Sequence, residues 1–187
     1  MRNILLLASG GGSNVNAILT HFKGREDVHF PLIIANSPKS GVIDIAKDHE
    51  IDVMLVNQQI FHSEIFVDTI DFYKPELIVL AGFLWKIPDF ITVKYHNKIL
   101  NIHPALLPKH GGKGMYGHHV HEAVIANKEK ESGMTIHFVN EKYDEGTILL
   151  QKKVKIDKAE TPDTLAAKVL KLEHTWYAKV IDSLLKK

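Results

Sequence analysis

Asn101-Ile102-His103-Pro104 sets an amide and an imidazole two residues apart at the end of an apolar run. Side chains alternate along a strand, so Asn101 and His103 share one side while Ile102 faces the other. Pro104 stops the strand and leaves the pair at its carboxyl end. An amide donor beside an imidazole suits an oxyanion hole. It also suits acyl transfer, in which a cationic imidazole stabilises developing negative charge. A histidinium needs a carboxylate to hold its pKa up. Asp144, in Tyr143-Asp144-Glu145-Gly146, is the best-placed candidate, in a tight connection closed by a turn glycine. Glu145 stays open as an alternative. So does a plainer account, in which the histidine bonds at a strand end and the aspartate does local backbone work.

A second group of residues points to an anion. Ser9-Gly10-Gly11-Gly12-Ser13-Asn14 follows an apolar run and opens a helical pattern. Glycines there let backbone N–H groups approach a phosphate, and the helix start adds a favourable dipole. Ser13 and Asn14 offer side-chain donors. A dinucleotide fingerprint starting at Gly10 would need Gly or Ala at position 15, where Val15 stands, and the acid expected after the second strand is replaced by Ala35-Asn36-Ser37. A Walker A motif fails as well, because Gly112-Lys113 is followed by Gly114. The loop reads as a monophosphate cradle, against the simpler reading of a strand-to-helix turn. His118-His119-Val120-His121 looks metal-like, but the spacing is not that of a zincin and no Glu lies between the histidines. A solvated helix start accounts for it better, and no metal is expected. His137 reads as a satisfied buried strand residue close to the site.

The elements that position these residues follow from periodicity. Apolar runs at residues 3–8, 30–35, 52–56, 77–81 and 98–102 alternate with helical stretches at 14–21, 42–49, 63–73 and 90–95. Near-continuously apolar strands alternating with helices indicate a parallel sheet covered on both faces. The rhythm changes after Pro108. A glycine- and histidine-rich loop covers 110–117, and a helix follows at about 119–127. Strands at 134–139 and 148–154 are joined by eight residues, too few for a helical crossover, so this pair is antiparallel. Thr161 caps a last helix with Pro162 in its first turn. Leu165, Val169, Leu172, Trp176, Val180 and Leu184 form its expected apolar stripe.

Composition narrows the classes. The chain has 187 residues, 45 % of them hydrophobic, enough to bury a core. Lys plus Arg is 23 against 22 Asp plus Glu, a balance that gives no footprint for nucleic acid or a membrane surface. With no cysteine there is no thiolate chemistry, disulfide or cysteine-ligated metal. No stretch reaches the ~18 apolar residues of a spanning helix. The apolar start is too short for a signal peptide and runs straight into the glycine loop. The expectation is a cytoplasmic protein of one domain, residues 1–187, with a Rossmann-like α/β fold: a mostly parallel sheet ending in an antiparallel strand pair.

These motifs resemble the folate-dependent phosphoribosylglycinamide formyltransferases of purine biosynthesis. The resemblance covers nearly the whole chain. It is carried by residues 4–14, by Pro75-Glu76-Leu77-Ile78-Val79-Leu80-Ala81-Gly82-Phe83-Leu84, and most strongly by Leu100-Asn101-Ile102-His103-Pro104-Ala105-Leu106-Leu107-Pro108-Lys109. Residues 133–139 and 143–146 extend it. It implies that the amine of glycinamide ribonucleotide attacks the formyl carbon of 10-formyltetrahydrofolate, the co-substrate. It implies a phosphate site at Gly11, Gly12, Ser13 and Asn14, with Gly82, Pro104 and Glu173 around the ribonucleotide. Leu84, Trp85, Lys86 and Ile87, with Asn140, Glu141, Tyr143 and Asp144, would cradle the pterin beside Asn101. Asn101 and His103 would stabilise a tetrahedral oxyanion. Asp144 would raise the pKa of His103 and relay a proton through water. The partners implied are these small molecules, in a monomer or homodimer.

The sequence departs from the family at Trp85-Lys86 and in loop 109–119, which is longer and richer in glycine and contains Lys109 and Lys113 as candidates to reach the phosphate. No basic residue stands out for the folate glutamate tail. Formylation of methionyl-tRNA and hydrolysis of formyltetrahydrofolate are the nearest rivals, and each calls for an additional domain that a chain of this length is not expected to hold. A non-catalytic nucleotide-binding module is the rival from another class, with a histidine-based metal hydrolase behind it. A rate that falls at high pH is expected if His103 must be protonated.

Overall fold

Residues 4–8 are wholly apolar because their strand is the middle of the sheet. In the computed structural model, β1 (Arg2–Ala8) pairs in parallel with β2 (Val28–Ala35) on one side and β4 (Leu77–Leu80) on the other. The structure describes residues 1–186; Lys187, the last residue of the expected domain, lies outside them. β3 (Asp52–Leu55) extends the sheet beyond β2, and β5 (Ile99–His103), β6 (Glu131–Phe138) and β7 (Ile148–Lys155) extend it beyond β4. The order is β3-β2-β1-β4-β5-β6-β7. β6 runs antiparallel to β5 as well as to β7, so the antiparallel part is one pairing larger than expected.

The two faces of β1 feed different cores. Ile4, Leu6 and Ala8 pack with Val15 and Ile18 of α1 (Ser13–His21), Val42 of α2 (Val42–Asp48) and the inner face of α7 (Pro162–Leu185). Leu5 and Leu7 pack the other way, against Phe61 of α3 (Gln58–Phe61), Phe66 and Ile70 of α4 (Glu64–Tyr73) and Ile91 of α5 (Asp89–Lys94). The short α3 is not legible in the sequence. Four residues give no period, and its start depends on the Asn57 side chain accepting from the Ile60 N–H at 2.8 Å. α6 (His118–Ala126) starts one residue earlier than expected, and β6 three residues earlier.

The stripe of α7 differs from the expected one. Its fully buried row is Leu165, Val169, Glu173, Tyr177, Ile181 and Leu185, spaced by four, while Leu172, Trp176, Val180 and Leu184 flank it half-buried. Counting apolar residues misses this row because a carboxylate stands in it. Thr161 caps the helix as expected, its side chain accepting from the Thr164 N–H while Thr164 reaches back.

Glu173 is 7 % exposed, and its Oε2 accepts from Asn14 Nδ2 at 2.7 Å. Burial pushes its pKa up to about 7, with the Asn14 amide pulling the other way. The folded state therefore holds this proton between about pH 4.5 and 7, where the unfolded chain has released it, and stability falls as pH rises through that window. Glu173→Gln should match the parent near pH 4 and exceed its stability above pH 7, by on the order of 3 kcal/mol, in urea unfolding across pH. A second prediction concerns Tyr177, whose hydroxyl donates to the Leu80 carbonyl at 3.0 Å inside the core. Tyr177→Phe removes this bond and should cost about 1 kcal/mol, read as a lower urea midpoint with an unchanged slope.

Candidate active site

The strand order reverses between β1 and β4, and a crevice opens beyond their carboxyl ends, as such reversals produce. Two bonds join the loops there. The Ser9 N–H donates to the Gly82 carbonyl at 3.1 Å, and Ser9 Oγ accepts from the Leu84 N–H at 2.9 Å. Gly12 turns the chain into α1 with a φ of 77°, and a Cβ there would stand 2.7 Å from Ile45 Cδ1. The glycine loop thus packs directly against the start of α2, and the Gly10 carbonyl accepts from Ser40 Oγ at 2.8 Å. No side chain caps the N-terminus of α1. Gly10, Asn14, Gly82 and Glu173 line the resulting cavity of about 660 Å³. Gly11, Gly12 and Ser13 do not line it; they form the turn behind Gly10.

The middle of the cavity is built on β5 and β6. Asn101 lies opposite His137, and His103 opposite Thr135, so one face of two strands gathers the polar groups. The Nδ1–H of His137 donates to the Phe138 carbonyl at 2.8 Å, and in the neutral ring Nε2 is the acceptor for Asn101 Nδ2 at 3.2 Å. One N–H of the Asn101 amide is used in this way and the other is free. His103 is 4 % exposed, and its Nε2–H donates to the His110 carbonyl at 2.8 Å. Its Nδ1 faces Asp144 Oδ2 at 3.6 Å, beyond hydrogen-bond reach. Asp144 Oδ1 stands 3.6 Å from His137 Nε2, and Oδ2 accepts from the Gly112 N–H at 2.9 Å. Asp144 has a φ of 56°, a left-handed conformation that aspartate tolerates better than most residues. Gly146 closes this loop because a Cβ there would meet the Phe138 carbonyl oxygen at 1.8 Å.

Charge follows from this geometry. Burial works against the Asp144 carboxylate, but the His137 and His103 rings and the Gly112 N–H together hold its pKa below the ordinary value. Burial also works against a charged His103. The Asp144 charge and the His110 carbonyl act in the opposite direction, and burial wins, so the pKa of His103 lies below that of an ordinary imidazole. The direction of the Asp144 effect is as expected, and desolvation outweighs it.

Beneath Thr135 a second polar group holds the segment after His103. Thr135 Oγ1 donates to the Ala105 carbonyl at 2.7 Å and accepts from the Leu107 N–H at 3.0 Å. Gln151 Nε2 reaches both Thr135 Oγ1 and the Leu107 carbonyl at 2.9 Å. Pro104 therefore stands on a braced segment at the cavity wall.

The far end of the cavity lies between Leu84, Trp85, Lys86 and Ile87 on one side and Asn140, Lys142, Tyr143 and Asp144 on the other. The Trp85 ring packs edge-on against Phe61, with centroids 5.4 Å apart, which anchors its loop to the lower core. Lys86 pairs with Asp89 at 2.7 Å. Glu141 does not line the cavity; it turns toward Thr92, whose hydroxyl reaches Oε1 at 3.4 Å. The lysines of loop 109–119 are also off the wall. Lys109 pairs with Glu129 at 3.1 Å, and Lys113 is exposed. Loop residues Gly112, Gly114, Met115, Tyr116 and Gly117 are on it.

The histidine cluster divides. Both His118 and His121 line the cavity, but His118 is half-exposed beside Glu122, whereas His121 is buried. The expectation of a solvated helix start holds for the first and fails for the second. The signal for His121 was available: Val120 and Val124 mark the inner face of α6. Nothing in the sequence points to the His110 carbonyl, which is a backbone group.

The sequence profile of the family described as formyl transferase matches residues 2–181. The chain is 34 % identical to the phosphoribosylglycinamide formyltransferase of Bacillus subtilis, over 99 % of this chain and 95 % of that protein. It is 37 % identical to the chloroplastic phosphoribosylglycinamide formyltransferases of Arabidopsis thaliana and Vigna unguiculata, and spans just under two thirds of their lengths, 65 % and 61 %. The crystal structure of phosphoribosylglycinamide formyltransferase from Bacillus halodurans superposes with a TM-score of 0.90 at 31 % identity, covering 100 % of this chain and 96 % of that one. With a profile match over almost its full length and a relative 34 % identical along nearly the whole of both chains, the chain belongs to the formyl transferase family.

Proposed function

We propose that this chain is a phosphoribosylglycinamide formyltransferase, a single domain that carries the formyl group of 10-formyltetrahydrofolate to the amine of glycinamide ribonucleotide in purine biosynthesis. One observation supports this reading above the others. Asn101, His103, His137 and Asp144 meet in the middle of one cavity, between the glycine loop and the facing segments 84–87 and 140–144. The uncapped start of α1 suits a phosphate, with Asn14, Gly82, Pro104 and Glu173 around the sugar. The opposite end suits a flat heterocycle between Leu84–Ile87 and the Asn140–Tyr143 segment.

The proton inventory then follows. The amine nitrogen bonds to the formyl carbon, and the formyl oxygen takes negative charge. The free N–H of Asn101 donates to that oxygen. His103 starts neutral with Nε2–H held by the His110 carbonyl, so the Nδ1 lone pair accepts the proton that the attacking nitrogen loses. The imidazolium so formed lies beside ionised Asp144 and adds its charge to the stabilisation of the oxyanion. The proton passes to the folate nitrogen as its bond to the formyl carbon breaks, giving the formylated amide and tetrahydrofolate. A cytoplasmic monomer or homodimer completes the reading. Hydrolysis of the same donor is the second reading, because water could stand where the amine does.

The test is spectrophotometric, with 10-formyltetrahydrofolate in the presence and absence of glycinamide ribonucleotide. Turnover should require the ribonucleotide; turnover without it would support the hydrolase. Asn101→Ala should lower kcat by roughly 10²–10³-fold. kcat/KM should fall on the acid side through a pKa below the ordinary imidazole value, with no falling limb from His103 at high pH. That reverses the pH dependence expected from a cationic His103.

A further inference from the structure

His121 lies one turn into α6, and the scheme above gives it no task. Its side chain is 5 % exposed, and it lines the cavity with His118, Pro104 and Glu173. Buried polar groups in folded proteins nearly always have a hydrogen-bond partner. Here Nδ1 is enclosed with none, which leaves Nε2 as the ring nitrogen that the cavity can reach. Burial, reinforced by His118 and His103 nearby, lowers the pKa to about 4. The ring is neutral at pH 7 and carries one N–H and one lone pair. A proton on Nδ1 would be a sealed, orphaned donor, which is rarer and costlier than an orphaned acceptor. The proton therefore sits on Nε2, and His121 presents a donor to the cavity.

The position of this donor narrows its partner. An anion is provided for elsewhere, at the uncapped start of α1. His121 and His103 line the same cavity. The attacking amine must reach His103, and in a glycinamide a single methylene separates that amine from the amide carbonyl. We propose that His121 is a recognition residue for the acceptor, donating Nε2–H to the carbonyl oxygen of its glycyl amide. This rests on the reading of the chain as a glycinamide ribonucleotide formyltransferase. The bond would hold the amine at the reacting end and favour an acceptor with a carbonyl at that distance.

The experiment compares His121→Leu and His121→Gln with the parent protein, using glycinamide ribonucleotide and 10-formyltetrahydrofolate. The leucine fills the space, removes the donor and removes the orphaned nitrogen. It should raise the KM of the ribonucleotide roughly tenfold or more and leave the KM of the folate and the thermal midpoint unchanged. The glutamine keeps an N–H donor and should recover part of the loss. An unchanged ribonucleotide KM in His121→Leu, or both KM values changing together with a lower midpoint, would overturn the proposal. A parent protein that does not turn over the ribonucleotide would instead remove the functional reading beneath it. Should the variants not fold, ¹⁵N NMR of the parent protein decides. The His121 signals should show the Nε2–H tautomer at pH 7 and shift when the ribonucleotide alone is added. A proton on Nδ1, or no shift at saturation, would overturn the proposal.

Discussion

The hydrogen bond from His103 Nε2 to the His110 carbonyl is the contact on which the site's arrangement depends. It fixes which ring nitrogen carries the proton in a neutral imidazole and turns the other toward Asp144. Asn101 is set in the same manner one row along. The Phe138 carbonyl holds His137 Nδ1–H, so a neutral His137 accepts through Nε2 and the Asn101 amide donates to it. Two backbone carbonyls thus determine the donors and acceptors of three side chains. The chemistry available is a free amide N–H and a free imidazole lone pair, side by side and largely out of water.

Such a row is costly to build in an apolar sheet, and the surrounding structure shows how the cost is met. β5 and β6 pair in register, so each polar side chain on one strand faces another on the next. Thr135 and Gln151 saturate the backbone of the segment that leaves His103. Asp144 is held in a left-handed turn with its charge facing two rings and a backbone N–H. Among the described residues, four buried side-chain atoms lack a partner: Asn14 Oδ1 and His121 Nδ1 belong to residues that line the cavity, whereas Ser132 Oγ and His174 Nε2 do not.

Much of this was legible in the sequence. Alternation at Asn101 and His103, the stop at Pro104 and the turn glycine after Asp144 place the central residues without coordinates. The buried strands betray themselves by their unbroken apolar runs. Two departures share a cause: a polar residue stands within an apolar period. Glu173 occupies the core row of α7 and shifted the expected stripe by one residue. His121 occupies the inner face of α6 and was assigned to solvent. The antiparallel β5–β6 pairing escaped because it depends on the route of the chain through loop 109–119 and α6, which no local pattern encodes. A carboxylate nearby is visible in a motif, whereas the depth of burial that outweighs it is not.

The proposed chemistry depends on the protonation of His103 before substrate arrives. Long-range ¹H–¹⁵N NMR of the substrate-free protein, titrated from pH 5 to 8 with His103 assigned through His103→Gln, measures it directly. The neutral Nε2–H tautomer at pH 7, charging only below the ordinary imidazole range, is the result predicted. A ring doubly protonated at pH 7 and titrating above that range would show that Asp144 outweighs burial, and would contradict the neutral starting state from which the proton inventory was drawn.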